Sequence, residues 1–349
     1  MSTHTQATAP ALRESRRSGR QLVDRLIRAR ELSLVGVLAI VVLGTTAINP
    51  RFLNAQNVRD ILLNVAIVAL LAIGQTVVVV TRNIDLSVGS VLGITAFLTG
   101  VLFADHHVAI PVAFAGGIAF GAFFGLLNGA MVSLARVPSL VITLGTLYVI
   151  RGIDFVWAKG RQINASQMPD AFLNLGSDTV LGIPLLALIT LAVLIVVGYL
   201  MSRTRMGREL YAIGSNPDAA TLAGIRVTRR VLGAFVASGA LAGLAGVLYA
   251  ARFGTIDANA GTGQELAVVA AVVVGGVAIF GGSGSVYGAA LGALLLACIG
   301  SALVVLKVDQ FWEQAIDGFL LLVAIGLDRL LALRLAAALT KRGGPHHAA

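Results

Sequence analysis

The sequence contains 349 residues, of which 57% are hydrophobic and only 12% are charged. Soluble domains carry about 25% charged residues, so this composition excludes an ordinary soluble globular protein. Apolar runs of about 18 or more residues recur, which is the length that crosses a bilayer as a helix. The net charge of +9 would suit nucleic acid, but the basic residues lie between and around the apolar runs, where membrane topology explains them. The sequence therefore predicts an all-α polytopic membrane protein with no nucleic-acid partner.

About ten apolar segments predict transmembrane helices. We expect residues 1–31, with seven arginines, to form a basic cytoplasmic tail, residues 32–334 the transmembrane domain, and residues 335–349 a second cytoplasmic tail. The predicted spans lie at about 32–48, 61–80, a third ending near 103, 110–134, 140–157, 181–201, 231–251, 265–280, 286–306 and 311–332.

The distribution of basic residues predicts the orientation of these spans. Nineteen of the 26 Lys and Arg residues fall on one predicted side, and seven fall in or near the other. Lys and Arg are enriched in cytoplasmic loops. Both termini and the polar segment 202–230 are therefore predicted to be cytoplasmic.

The segment 202–230 is a basic interruption between two long apolar runs, and it contains the signature of a helix start. Asn216 is a suitable N-cap, Pro217 suits the first helical position, and Asp218 faces the positive end of the helix dipole. Gly224 is expected to stop the helix. A helix of roughly two turns is unstable alone in water, so the membrane domain or a partner must hold it. We interpret the segment as a cytoplasmic docking loop.

The segment TRNIDLSVGS, residues 81–90, interrupts the hydrophobicity between the second and third spans. One interpretation is a re-entrant or broken helix lining a path through the membrane, with Asp85 accepting hydrogen bonds from the amides of Ser87 and Val88. The other is a tight turn with Asp85 as N-cap and Arg82 as a cytoplasmic anchor. The first interpretation gives these translocation-path candidates: Asn83, Asp85, Ser87 and Ser90.

Motifs for catalysis and nucleotide binding are absent from the sequence. It lacks G-x-x-x-x-G-K-[ST], HExxH, a Cys/His metal spacing and G-x-S-x-G. We therefore expect no enzyme activity, cofactor or metal, and any ATP must be bound by another chain. Ion-coupled transporters usually carry acidic or basic residues deep in the membrane. The acidic residues here fall near predicted span ends, which counts against ion coupling without excluding it: Asp154, Glu265, Asp317 and Asp328.

Four segments, 81–90, 138–146, 207–225 and 275–284, resemble the ribose-type branch of the permease subunits of bacterial ABC importers. The resemblance covers most of the chain in the same order. It implies a permease domain of about ten helices in the inner membrane, paired with a second permease copy or paralogue. It also implies a cytoplasmic ABC ATPase and an extracytoplasmic sugar-binding protein as partners.

The resemblance further implies that residues 216–225 couple the ATPase to the transport path. Arg82 and Asn83 depart from the Gly-Gly usual in ribose permeases and are more similar to members serving autoinducer-2 or rhamnose. Rhamnose, ribose, xylose and autoinducer-2 all remain possible solutes, and an ion-coupled sugar transporter is the alternative. The implied coupling residues are Asn216, Pro217, Asp218, Ala219, Ala220, Gly224 and Ile225.

Overall fold

The computed structural model describes residues 32–309 and 311–326. This part of the chain is predominantly helical, with short 3₁₀ turns at Pro50–Leu53 and Ala165–Gln167. The helices are α1 (Leu32–Ile48), α2 (Ala55–Val79), α3 (Val88–Ala104), α4 (Ile110–Ser133), α5 (Ser139–Ala158), α6 (Asp170–Ser177), α7 (Leu185–Arg203), α8 (Arg205–Ser215), α9 (Pro217–Leu222), α10 (Val227–Phe253), α11 (Gln264–Val274), α12 (Val286–Val305) and α13 (312–326).

Six helices in the described residues are long and apolar enough to cross a membrane. They are α2, α4, α5, α7, α10 and α12. Helices α1, α3 and α11 are apolar but shorter. The helical, multi-span architecture thus agrees with the predicted fold class. The predicted ten spans and the orientation of the termini remain predictions, and residues 1–31 and 327–349 lie outside the described residues.

The centre of the domain is formed by α2, α3 and α10. In its most apolar window, α2 is 78% buried, whereas the peripheral helix α5 is 17% buried. The most extensive contact joins α10 to α4, where glycines let the two backbones approach closely. A Cβ atom at Gly121 would collide with the carbonyl of Gly239, and one at Gly125 would collide with that of Phe235.

The connecting segments gather at two opposite ends of the helices. At the end predicted to be external, Ile163 pairs with Ile256 in an isolated β-bridge. There the Arg161 guanidinium donates two hydrogen bonds to Asp105, at 2.6 and 2.7 Å, and holds the pKa of that exposed carboxyl below its usual range. At the other end, Gly282 N donates to Val80 O at 2.9 Å. The segments predicted to share a side therefore do lie together.

The structure differs from the predicted elements in three places. The docking loop 202–230 is mostly helical, because α8 precedes the predicted short helix. The segment 158–180, interpreted as a loop, contains α6 and begins a two-stranded hairpin in which Thr179–Val180 pairs with Ile183–Pro184. The span predicted at 265–280 ends as a helix at Val274, because Gly276 has a φ of 91° and turns the backbone out of the helix.

Candidate sites for translocation and coupling

The connection between α2 and α3, residues 80–87, folds back into the helical domain and is called here the re-entrant turn. Gln75, oriented so that both amide atoms are satisfied, donates to Asp85 O at 3.1 Å and accepts from Asp85 N at 3.2 Å. Because Gln75 precedes the end of α2 by four residues, Asp85 lies about 6 Å inside that end. The segment is therefore both a turn and re-entrant, but the prediction of Asp85 as N-cap is wrong. Helix α3 begins at Val88 with Ser87 as its N-cap, and Asp85 stabilises the turn before it by accepting from Ser87 N.

A buried group of polar side chains stabilises the re-entrant turn. Asp85 Oδ1 accepts from Ser87 N at 3.0 Å and from Ser87 Oγ at 2.6 Å, so the Ser87 hydroxyl takes the role predicted for the Val88 amide. Asn128 Nδ2 on α4 donates to Ser87 Oγ at 2.8 Å, and Ser90 Oγ donates to Ser87 O at 2.8 Å. Each side chain in this group is thereby fixed.

The structure brings three of the four predicted path residues together. Asp85, Ser87 and Ser90 are at most 1% exposed, whereas Asn83 is half-buried and donates instead to Thr81 O and Oγ1 at 3.0 Å. In this conformation the three buried residues have no surface that a solute could contact. Their role in translocation stays a prediction that requires the domain to open.

A second non-helical segment enters the domain from the opposite end. Residues 254–263, called here the connector, run from the end of α10 to the start of α11. Helix α11 has 11 residues, so it spans about 16 Å, roughly half the hydrocarbon core. Its N-terminus meets the beginning of α3, where a Cβ atom at Gly89 would collide with Oε2 of Glu265. Non-helical backbone at this depth is tolerated only inside protein or along a cavity.

Helices α8 and α9 form a compact platform at the end of the domain that carries the re-entrant turn. Asn216 Oδ1 accepts from Ala219 N at 3.0 Å, Pro217 opens α9, and Asp218 lies in its first turn, which confirms the predicted helix start. Gly224 has a φ of 79° just beyond the end of α9. Buried Ala220 and half-buried Ile225 attach this segment to the domain, while Leu222 is 90% exposed. The predicted coupling residues thus form one small, anchored projection.

Two ion pairs stabilise α8 and join it to α10. Glu209 on α8 accepts from Arg205 Nε at 2.7 Å and from Arg230 Nε, at the start of α10, at 2.5 Å. Its carboxylate is 11% exposed. The hydrogen bonds from Arg205 and then Arg230 lower the pKa of Glu209 below its ordinary 4.5. The carboxylate is therefore charged at neutral pH and joins α8 to α10.

Direct bonds also connect the platform to both neighbouring turns. Arg82 of the re-entrant turn donates through Nε to Gly214 O at 2.5 Å and through Nη2 to Ser215 O at 2.7 Å. On the other side, Tyr211 OH donates to Gly284 O at 2.9 Å, just before α12 begins. A displacement of the platform would therefore pull on the re-entrant turn and on the start of α12.

Sequence reasoning missed the residues that attach the platform. The sequence predicts Arg82 as a cytoplasmic anchor and as a departure from the ribose-type pattern, and it does not identify Glu209, Tyr211 and Arg230 as a set. The Arg205–Glu209 spacing of four was a usable signal, because residues i and i+4 are neighbours on a helix. The contacts to Gly214, Ser215 and Gly284 are long-range and left no local signal.

This architecture defines a polytopic helical membrane protein with buried non-helical segments and an anchored, exposed short helix, as in a transport permease. The chain belongs to the family described as "Branched-chain amino acid transport system / permease component", whose model matches residues 57–325. The family match confirms the resemblance to permease subunits of bacterial ABC importers. Its members are transport components of the inner membrane and not enzymes.

Three relatives carry the name "Autoinducer 2 import system permease protein LsrC". That of Klebsiella pneumoniae subsp. pneumoniae is 38% identical over 311 residues, covering 89% of this chain and 90% of the relative. That of Enterobacter sp. is 37% identical over 318 residues, 90% of each chain. That of Salmonella paratyphi B is 37% identical over 282 residues, 81% of each chain. No solved structure matches.

Proposed function

We propose that this chain is the membrane subunit of an ATP-driven importer for autoinducer-2 or a related monosaccharide, with ribose, xylose and rhamnose as the other solutes considered. The observation that carries the proposal is the exposed helix α9 on a platform bonded directly to the re-entrant turn. A membrane subunit driven by a separate ATPase needs such a projection. The names of the relatives support autoinducer-2 as the first solute to test.

The proposed assembly places α9 in the cytoplasm, against an ABC ATPase. An extracytoplasmic binding protein would deliver the solute at the opposite end, and a second permease copy or paralogue would complete the core. The positive-inside distribution supports this orientation, and ten spans would put both termini in the cytoplasm. Helices α1, α3 and α13, and one crossing formed jointly by the connector and α11, would supply the four spans beyond the six long ones.

The proposed coupling runs from α9 through α8 to the two turns. Closure of the ATPase would push on Leu222 and Asp218. Helix α8 would move with α9 because only Asn216 separates the two helices, and the Glu209–Arg230 ion pair would carry the movement to the start of α10. Arg82 and Tyr211 would then transmit the movement to the re-entrant turn and to α12. Opening of the re-entrant turn would expose Asp85, Ser87 and Ser90, which are predicted to line the path together with Asn83.

The experiment measures uptake of labelled autoinducer-2, ribose, xylose and rhamnose in cells with and without this chain, in the presence of its partner subunits. Half of the samples are depleted of ATP with ion gradients maintained, and half have collapsed gradients with ATP maintained. We expect ATP depletion alone to abolish uptake of one compound. Uptake that survives ATP depletion and stops on gradient collapse would instead identify an ion-coupled transporter.

A further inference from the structure

Asp154 is a carboxylate inside the membrane domain whose role the coupling mechanism leaves unexplained. It lies on α5, is 0% exposed, and neither of its oxygens has a hydrogen-bond partner among the described residues. An ionisable side chain buried inside a membrane domain is costly and marks a functional site by default. The sequence placed it near a span end, but the structure buries it completely.

Arg151 lies one turn before Asp154 on α5 and interacts electrostatically with both Asp154 and Glu265. Its Nη1 donates to Ala258 O at 3.0 Å and to Ala260 O at 2.6 Å, both in the connector. A Cβ atom at Gly93 of α3 would collide with Ala260 O. Arg151 thus holds the connector down against the glycine face of α3.

Glu265 completes the arrangement from the N-terminus of α11. Its Oε2 lies over Gly89, one turn along α3 from Gly93, and has no hydrogen-bond partner among the described residues. The Gln264 Oε1 atom is also buried and also lacks a hydrogen-bond partner among the described residues. Asp154, Gln264 and Glu265 therefore carry four buried oxygen atoms without donors, and Arg151 interacts with both carboxylates.

We propose that Asp154, Arg151, Glu265 and Gln264 form a recognition site for a neutral, polyhydroxylated solute, which the connector closes in this conformation. The inference rests on the proposed transport function and deepens it by naming the residues that contact the solute. Hydroxyl groups supply the donors that the carboxylate and amide oxygens lack. The guanidinium donates to hydroxyl or ring oxygens of the same solute.

The pattern of donors and acceptors suits a polyhydroxylated solute. In the closed conformation Arg151 Nη1 is bonded to two carbonyls, while oxygens of Asp154, Gln264 and Glu265 lack donors. A sugar-like molecule requires no counter-ion and can accept and donate at the same oxygen.

The connector has the backbone features of a movable cover. Gly254, Gly261 and Gly263 have φ values of 61°, 72° and 85°, a region where glycine carries no steric penalty. No Cβ atom at Gly263 would meet a neighbour. Release of the two Arg151 hydrogen bonds would free the connector to swing from α3 and open the site toward the end that carries Ile256.

The first test measures access of water-borne reagent to the site in whole cells with the complete transport system. A Cys298→Ala background leaves Asp154→Cys as the single thiol, and a membrane-impermeant methanethiosulfonate is applied with and without ATP depletion. In energised cells, we expect Asp154→Cys to be modified at least about tenfold faster than a matched Ala72→Cys control. Ala72 is also 0% exposed but lies in the apolar core. Equal rates for the two variants, with or without ATP, would overturn the proposal.

The second test uses a variant that keeps the shape of the side chain. In Asp154→Asn, uptake of the transported sugar is expected to fall at least about tenfold, because an NH₂ donor replaces one of the two acceptor oxygens. Asp178→Asn, an exposed carboxylate at the end of α6 and outside the connector, should transport normally. Membrane abundance and elution as a single species check folding. Unchanged uptake in Asp154→Asn, or leucine as the transported compound, contradicts the proposal.

The two levels of inference fail differently. If the wild-type system takes up a sugar without needing ATP, the proposed function fails, while thiol modification still decides whether the site opens. If uptake is ATP-dependent but Asp154→Asn behaves like Asp178→Asn, the proposed function stands and the recognition site does not.

Discussion

At the scale of single residues, Gly224 has the conformation on which α9 depends. Residues with a branched Cβ adopt its φ of 79° only with backbone strain. A Cβ atom at this position would nevertheless meet no neighbouring atom. Replacing Gly224 with Val therefore strains the backbone without a clash, by about 1–2 kcal/mol. We expect uptake to fall about five- to thirtyfold while the protein still inserts, as measured by labelled-solute uptake and membrane abundance.

Gly233 offers a matched control for this prediction. It lies within α10, where φ is helical, and a Cβ atom there would also meet no neighbour. Gly233→Val should retain most of the uptake. Normal uptake in Gly224→Val would remove the coupling role assigned to α9.

Glu209 predicts a pH dependence of stability. Its folded pKa is below the ordinary value of 4.5 because Arg205 and Arg230 donate to the carboxylate. The stabilisation is therefore complete above pH 4.5 and is lost as the pH falls through the lower, folded pKa. Melting temperatures of the detergent-solubilised protein should drop over this acidic range, and Glu209→Gln should weaken that dependence. Asp257→Asn should leave it unchanged.

The residues that sequence reasoning identified are those with local causes. Asn216 caps α9 through an amide three residues away, and Asp85 accepts from a residue two positions ahead. The burial of Asp154 could not be predicted in the same way, because the depth of α5 against α3 and the connector decides it. Distance from the end of an apolar run is a poor measure of burial when a non-helical segment covers that end.

At the scale of helices, the contact between α4 and α10 predicts sensitivity to a single methyl group. A Cβ atom at Gly121 would collide with Gly239 O and lie 2.7 Å from the Gly243 backbone, neither of which is a movable side chain. Gly121→Ala should lower stability by about 1–3 kcal/mol. Thermal unfolding of the purified protein measures the change.

Gly145 of α5 provides the comparison, since a Cβ atom there would meet nothing within 4 Å. Gly145→Ala should be neutral or slightly stabilising, because alanine favours a helix over glycine by about 1 kcal/mol. Equal loss in both variants would mean that helix propensity, and not close packing, explains the glycines.

Long apolar helices were predictable from hydropathy, and short polar ones were not. The prediction for α4 at 110–134 agrees closely with Ile110–Ser133, since its length and composition are unambiguous. Helix α8 is short, basic and interrupted by two glycines, and contacts with Val80 and Gly282 stabilise it. Those contacts come from distant parts of the chain, so no local pattern revealed the helix.

At the scale of the whole molecule, the two ends of the helical domain predict opposite accessibility. His107 lies in the turn between α3 and α4, and Leu222 lies on the platform at the other end. In a Cys298→Ala background, an impermeant thiol reagent added outside intact cells should modify His107→Cys and not Leu222→Cys. Inverted vesicles should give the reverse pattern. The same result at both positions would contradict the predicted orientation.

The connector also imposes an order on biosynthesis. The ribosome completes α3 and α5 well before it reaches Gly254, so the nascent chain presents the glycine face of α3 and Arg151 before their partner exists. Until the carbonyls of Ala258 and Ala260 emerge, that guanidinium has neither of its two acceptors. Chains that stall before this point expose an unsatisfied charge within the bilayer. Quality-control proteases of the membrane should therefore recognise truncated forms more readily than the finished protein.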